Sequence, residues 1–235
     1  MSSRLRRALA EPDSKRRYVR RLFATIADRY DLITRVLSYG QDRRWKERVI
    51  DLCGAGPGMR ALDLACGTGD IAFAIERRGA RVVGLDLTVR MLQLACMKHD
   101  AVPFVAGDML ALPFADQSFD VITTGYGLRN VPDLAAAIAE AHRVLKPGGI
   151  FVSLDFDRPP NAFVRTIYLS YLTVVGSTLG LLLHGDPDTY RYIPESIRRY
   201  PGAAEVRTMI ARAGFSRSEH LPVLGGFMAI HHAQR

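Results

Sequence analysis

From Arg60 onward, short apolar runs alternate with amphipathic stretches of helical period. Runs of this kind, bounded by Gly or Pro, read as strands buried on both faces, and the stretches between them as the crossover helices of βαβ units. Ala61 to Ala65 is the first strand and Asp70 to Arg78 its helix; Arg81 to Asp86 is the second, followed by a helix over Thr88 to Lys98 that Thr88 is placed to cap. Pro103 to Ala106, Phe119 to Thr124 and Ile150 to Phe156 follow as strands, with a helix over Pro132 to Leu145 that the turn Lys146-Pro147-Gly148-Gly149 ends. A break at Arg158-Pro159-Pro160 precedes a helix over Ala203 to Ala213 and strands near Ser216 to Leu221 and Phe227 to His232, where a hairpin at Gly225-Gly226 makes the last strand antiparallel. The pattern predicts an α/β fold: a doubly wound, mostly parallel seven-stranded sheet. Ser14 to Ala27 and Arg43 to Cys53 add helices ahead of it.

The break holds one long apolar run, Thr166 to Leu183, uncharged and about as long as a bilayer-spanning helix. Its Thr, Ser, Tyr and Gly content, with Arg165 and His184 at its ends, favours a helical insertion that covers an apolar ligand or touches a membrane surface. Composition adds two constraints. At 235 residues and 48% hydrophobic the chain can bury a full core, and Cys53, Cys66 and Cys96 form no CxxC pair, which fits a reducing cytoplasm. The formal charge of +8 is concentrated between Arg4 and Arg21, a run that reads either as a solvated face or as a patch for an anionic surface. Histidines and cysteines lack ligand spacing, so no metal is expected.

In an open α/β sheet the ligand lies at the carboxyl ends of the strands, which directs attention to Leu62 to Asp70, LDLACGTGD. Gly67 and Gly69 permit a tight turn and a close ligand approach. Asp86, ending the second strand, can accept from both hydroxyls of a ribose. Gly67 to Ala72 also fits the dinucleotide pattern, so an NAD-type oxidoreductase is a competing reading. Charge separates the two: Asp63 and Asp70 beside the glycines suit the sulfonium and ammonium groups of S-adenosylmethionine better than a pyrophosphate. Asp108 is placed to receive the adenine amino group, with Met109 packed on the ring.

Several further segments carry a resemblance: IADRYD (26–31), LSYG (37–40) with Trp45, LPF (112–114), YGLRNVPD (126–133), RVLKPGG (143–149) and YRYIPESIRRYP (190–201). Together with the glycine loop they resemble the ubiquinone/menaquinone biosynthesis C-methyltransferase family over about Phe23 to His231. The resemblance implies a class I, Rossmann-like methyltransferase domain spanning 1–235. Within it, 1–57 would form a basic helical cap, 58–158 the cofactor core, 159–201 the insertion and 202–235 the closing helix and hairpin. It implies S-adenosylmethionine as cofactor and ring C-methylation of a prenylated benzoquinol or naphthoquinol. The cofactor set is then Asp63, Gly67, Thr68, Gly69, Asp86, Leu87, Asp108, Met109 and Gly125. Thr34, Thr88, Asp155 and Asp157 stand where the family usually has Asn, Asn, Glu and Ser, which leaves open another lipid-like phenol as acceptor.

Methylating a ring carbon calls for alignment, a base for the ring hydroxyl and a cation for the resulting phenolate. Arg129 is the expected cation; Tyr190, Asp155 and His231 are the candidate bases, unranked. Tyr30 would wall the acceptor pocket and Asn130 could hydrogen-bond a ring oxygen. A peripheral contact with an anionic membrane and a homodimer are compatible with the sequence, as is a non-catalytic cofactor- or quinone-binding module. Nucleic acid is not an expected partner, since no basic-aromatic groove is evident.

Overall fold

A computed structural model describes residues 3–159 and 161–235; Pro160, part of the expected break, lies outside them. Two helices lead in, α1 (Ser3–Ala8) and α2 (Pro12–Ile26), then a 3-10 turn at Ala27–Arg29, α3 (Tyr30–Leu37) and α4 (Asp42–Cys53). The alternating core follows: β1 (Arg60–Leu64), α5 (Asp70–Arg77), β2 (Arg81–Asp86), α6 (Val89–Lys98), β3 (Phe104–Ala106), β4 (Phe119–Gly125), α7 (Leu134–Val144) and β5 (Leu145–Phe156). Next come α8 (Ala162–His184), α9 (Asp188–Arg199) and α10 (Ala203–Arg212), and the chain ends with β6 (Arg217–Val223) and β7 (Met228–Gln234).

Among the described residues seven strands form one sheet in the order β3-β2-β1-β4-β5-β7-β6. Pairing is parallel from β3 to β5, while β7 runs antiparallel to both β5 and β6, as the hairpin signal requires. The order reverses between β1 and β4, so the switch point falls at the first glycine loop. Apolar side chains cover both faces: Leu62, Ile122 and Phe151 pack toward Ile138 of α7 and Val206 of α10, while Ala61, Val121 and Val152 pack toward Val49 of α4 and Ile75 of α5. That two-sided burial explains why these strands read as continuous apolar runs.

Three details depart from the sequence expectation. The turn after α7 is absorbed into β5, which starts at Leu145 and passes a register shift opposite Phe119 and Val121. Thr88 occupies the N-cap of α6 but makes no side-chain cap bond; its amide instead donates to Asp86 Oδ1 at 2.7 Å. The insertion is a helical pair rather than one helix. Asn161 caps α8 by accepting from the amides of Phe163 and Val164, and Gly176 and Gly180 let the chain around Asp186 to Tyr190 press against it. A third cluster joins Leu5, Val19, Leu22 and Ile33 of the leading helices to Tyr190 and Tyr192, so the N-terminal cap and the insertion share one core.

Candidate active site

At the end of β1 the backbone turns through Ala65 at φ 51° and Gly67 at φ 55°, exposing peptide groups toward the strand ends. Gly67 N donates to Asp86 Oδ2 at 2.9 Å and Thr88 N to Oδ1 at 2.7 Å, so Asp86 bridges the first loop and the start of α6 at the wall of the cleft. A Cβ at Gly127 would lie 2.5 Å from Thr124 Oγ1 and 2.9 Å from the Ala65 side chain, so only glycine lets the loop after β4 rest on the first loop. These elements enclose a cleft of about 710 Å³ whose walls include Gly67, Asp86, Leu87, Asp108, Met109 and Gly125.

Asp63 lies deeper, in an adjoining chamber of about 320 Å³ that shares Tyr30, Ala65, Gly67, Gly125 and Tyr126 with the cleft. Its Oδ1 accepts from Thr123 Oγ1 at 2.8 Å, while Oδ2 has no well-formed hydrogen bond; the Lys46 charge and the Ala72 amide give the carboxylate further electrostatic support. Burial raises this carboxyl to about 7. An unsatisfied, fully buried carboxylate oxygen at this point suits a ligand ammonium group.

Other expected residues face elsewhere. Asp70 lines the deeper chamber but not the cleft, and is paired with Lys46 at 2.9 Å and Lys98 at 3.6 Å; burial opposes its charge, but the two lysines outweigh it and lower its pKa. Gly69 is the left-handed N-cap of α5, packed on Phe73, and does not wall the cleft. The Thr68 hydroxyl donates to Asp31 Oδ1 at 2.6 Å and faces the deeper chamber. Asp108 pairs with Arg16 Nε at 2.8 Å, and the adjacent Lys15 donates to the carbonyls of Arg129 and Val131. Burial first, then the charge of Arg129, lowers Lys15 to about 8. Lys15 and Arg16 of the basic run thus tie α2 to the rim of the cleft, Lys15 partly buried and Arg16 half exposed; Arg4 and Arg6 side chains lie outside the described residues.

A second, apolar cavity of about 1250 Å³ opens between α3, α8 and α9 and shares Phe23, Tyr30 and Tyr126 with the first. Arg129 is its one charged lining side chain among the described residues. Arg129 is buried, with Nε 3.0 Å from Asp155 Oδ1 and one terminal nitrogen donating to Asn130 Oδ1 at 2.9 Å and Ser196 Oγ at 3.2 Å, and its guanidinium lies over the Phe156 ring. Asp155 also accepts from the amides of Arg129 and Phe156. Burial raises its pKa despite Arg129, and its contacts leave it holding the guanidinium rather than reaching the cavity. Asn130 borders the first cleft with its amide engaged internally, donating to the Tyr126 carbonyl and accepting from Tyr192.

Of the candidate bases only Tyr190 lines the apolar cavity. Its hydroxyl lies 3.0 Å from His184 Nε2, and burial pushes its pKa up to about 12. His231 reaches neither cavity: it sits between Ser153 Oγ and the Ala203 carbonyl, and burial lowers it to about 4, the signature of a satisfied core histidine.

Three residues of the site carry no sequence expectation. Tyr126, at φ 61°, stands at the junction of both cavities and the chamber, in a conformation that costs a bulky residue on the order of 1–3 kcal/mol. Its hydroxyl donates to Asp42 Oδ1 at 2.6 Å, and Asp42 pairs with Lys46 at 2.6 Å. Through Lys46, Asp70, Lys98 and Asp31 this network clamps α3 and α4 to the first loop. The YGLRN segment marks Tyr126, but nothing local marks Asp42 or Lys46 as its partners.

Comparison with known proteins agrees with this architecture. The profile of the ubiE/COQ5 methyltransferase family matches residues 11–235. A demethylmenaquinone methyltransferase of Thermus thermophilus is 43% identical over 91% of this chain and 100% of its own length, and one of Mycolicibacterium paratuberculosis is 41% identical over 96% and 97%. A SAM-dependent methyltransferase of Thermotoga maritima superposes with a TM-score of 0.65 over 92% of this chain and 99% of its own; at 17% identity that likeness establishes the fold alone.

Proposed function

The chain belongs to the ubiE/COQ5 methyltransferase family and is an S-adenosylmethionine-dependent enzyme, and from that premise we propose that it methylates the ring carbon of demethylmenaquinol. The reading is supported above all by one juxtaposition: an apolar cavity with a single buried guanidinium, joined to the cofactor cleft at Tyr30 and Tyr126. The relatives' names favour the naphthoquinol over the benzoquinol.

Asp63, Gly67, Asp86, Leu87, Asp108, Met109 and Gly125 would hold the cofactor, with Asp63 taking its ammonium and Asp86 its ribose. When bound, the sulfonium supplies an electrophilic methyl group. The chain's own residues then have three tasks. The tyrosines at the junction and the apolar walls align the ring and exclude water. Arg129, held by Asp155, stabilises the phenolate, which makes the adjacent ring carbon nucleophilic. The proton passes from the ring hydroxyl to the Tyr190 oxygen as Tyr190 gives its own proton to His184 Nε2, a neutral acceptor because burial first, then Arg29, lowers its pKa. Once the methyl is attached, the ring carbon loses its hydrogen as a proton, the ring re-aromatises, and the same relay returns a proton to the oxygen, so one proton is released overall. Asp155 and His231 serve as positioning and core groups in this reading. The enzyme works at the cytoplasmic face of an anionic membrane, where a prenylated acceptor resides; the net charge of +8 suits that surface.

The test is methyl transfer from isotope-labelled S-adenosylmethionine to chemically reduced demethylmenaquinone and to the corresponding demethylated benzoquinol, resolved by mass. Label on the naphthoquinol is expected. Label on neither, with cofactor binding intact, overturns the assignment.

A further inference from the structure

The outward stripe of α8 is apolar where a helix on a soluble enzyme is ordinarily polar. Phe163 is 73% exposed, Ile167 55%, Val174 66% and Leu182 74%, and positions 163, 167, 174 and 181–182 recur at the helical period. Beside it α3 exposes Leu32, Val36 and the following Tyr39. Two contacts lay these helices alongside each other: Tyr39 touches Tyr171 hydroxyl to hydroxyl, and Arg29 donates to the Leu183 carbonyl at 2.6 Å. The apolar cavity lies between them, and exposed Tyr39, Tyr171 and Leu224 belong both to its wall and to the surface, so its mouth opens in this face. Arg29 and Arg35 flank the patch, both exposed, and neither pairs with a carboxylate among the described residues.

We propose that this α3–α8 face docks on an anionic lipid bilayer, with the mouth at Tyr39 and Tyr171 set against the acyl boundary so that the acceptor's tail enters from the membrane without crossing water. Continuity between the exposed patch and an apolar cavity selects a lipid surface over a second copy of the chain, because a second copy seated here would cover the mouth. The unpaired arginines and the overall positive charge select anionic headgroups. Tyrosine hydroxyls at the rim match the interfacial level of a bilayer. The proposal rests on the prenylated acceptor assigned above, but its primary readout needs neither acceptor nor cofactor.

The full chain is sedimented with vesicles of phosphatidylcholine alone and of phosphatidylcholine with phosphatidylglycerol, and its mass in solution is measured by light scattering. The double variant Ile167→Glu/Val174→Glu changes exposed positions, so the fold should persist, which circular dichroism checks. We expect it to bind mixed vesicles at least about tenfold more weakly. Turnover of a truncated, water-soluble acceptor should stay unchanged while turnover of a long-tailed acceptor embedded in vesicles falls. Arg29→Glu/Arg35→Glu should lose the preference for phosphatidylglycerol. Undiminished vesicle binding by both variants overturns the proposal. So does a dimeric wild type that Ile167→Glu/Val174→Glu converts to a monomer, which would make the face a subunit interface. Failure of the truncated acceptor in the wild type would instead strike the acceptor assignment and leave the docking result standing.

Discussion

The two cavities that meet at Tyr30 and Tyr126 are built by opposite means. The cofactor cleft is made largely of backbone and short polar side chains at consecutive strand ends, and its specificity resides in carboxylates. The acceptor cavity is made of large apolar side chains from helices far apart in sequence, and its chemistry is concentrated in one guanidinium. In the proposed reading the first holds a compact, charged ligand by hydrogen bonds and the second a long apolar one by shape and exclusion of water. On that reading, a carboxylate-lined cleft beside a cavity with one guanidinium suits transfer from a sulfonium to a phenolate.

The sharpest way to break that division of labour is at Arg129. Arg129→Ala should cut turnover by about 10²–10³-fold with cofactor affinity nearly unchanged, measured by steady-state kinetics and calorimetry. Because it strands Asp155 in the interior, the paired variant Arg129→Met/Asp155→Asn serves as the folding control. Equal losses in turnover and cofactor affinity would sink the assignment.

Next comes Asp63→Asn, expected to weaken cofactor binding by about tenfold to a hundredfold while the acceptor KM stays put. The wild-type carboxyl, raised from 3.8 to about 7, must be charged to hold an ammonium, so cofactor affinity should fall as pH drops below about 7 and the variant should lose that dependence. The free enzyme behaves in the reverse sense. Between pH 4 and 7 the folded state keeps this proton and the unfolded state does not, so Asp63 favours folding at the acid end and loses that contribution as pH rises toward 7. His231, lowered from 6.5 to about 4, acts oppositely, its contribution present above pH 6.5 and lost as pH falls. The difference between wild type and Asp63→Asn in thermal midpoint across this window isolates the carboxylate.

A smaller effect is expected from Tyr190→Phe: about a tenfold loss of kcat with a shifted pH–rate profile, which a purely packing role would not produce. Last is Arg16→Gln. Its guanidinium is half exposed, so losing the Asp108 contact should cost under about 1 kcal/mol of stability. Cofactor release should accelerate, read by stopped-flow, if α2 is a cover.

The cofactor cleft was far more legible in the sequence than the acceptor cavity. A strand, a glycine turn and a carboxylate lie within ten residues of each other at Asp63 to Asp70, and local patterns report local geometry. Asp86 and Asp108 were found the same way, because strand ends can be located from apolar runs. Even so, Asp70 shows the limit: position beside the turn was visible, but the pull of Lys46 from α4 was not. His231 failed differently, since strand alternation told its burial and not that Ser153 and Ala203 would use both ring nitrogens. The place of Arg129 in the loop after β4, where it lines the apolar cavity, was legible, whereas its pairing with Asp155 depends on β4 and β5 lying side by side. Tyr126, Asp42 and the α3–α8 walls depend on tertiary contacts that no short segment encodes.

The close packing at Gly176 and Gly180 bears on how the chain is made. Helix α8 is 23 residues long and apolar enough to cross a membrane, yet most of its apolar window remains uncovered in the folded protein. Gly176 lets the α9 backbone at Tyr190 approach it, and Gly180 does the same for the turn at Asp186 and Pro187 that leads into α9. The last residue of α9 follows the last of α8 by 15 positions (199 − 184), so at about 5–20 residues per second the emerging chain presents an unescorted membrane-like helix for about 1–3 s. Whether newly made α8 folds back or is captured by the insertion machinery is thus a race, and a bulky residue at Gly180 would lengthen it.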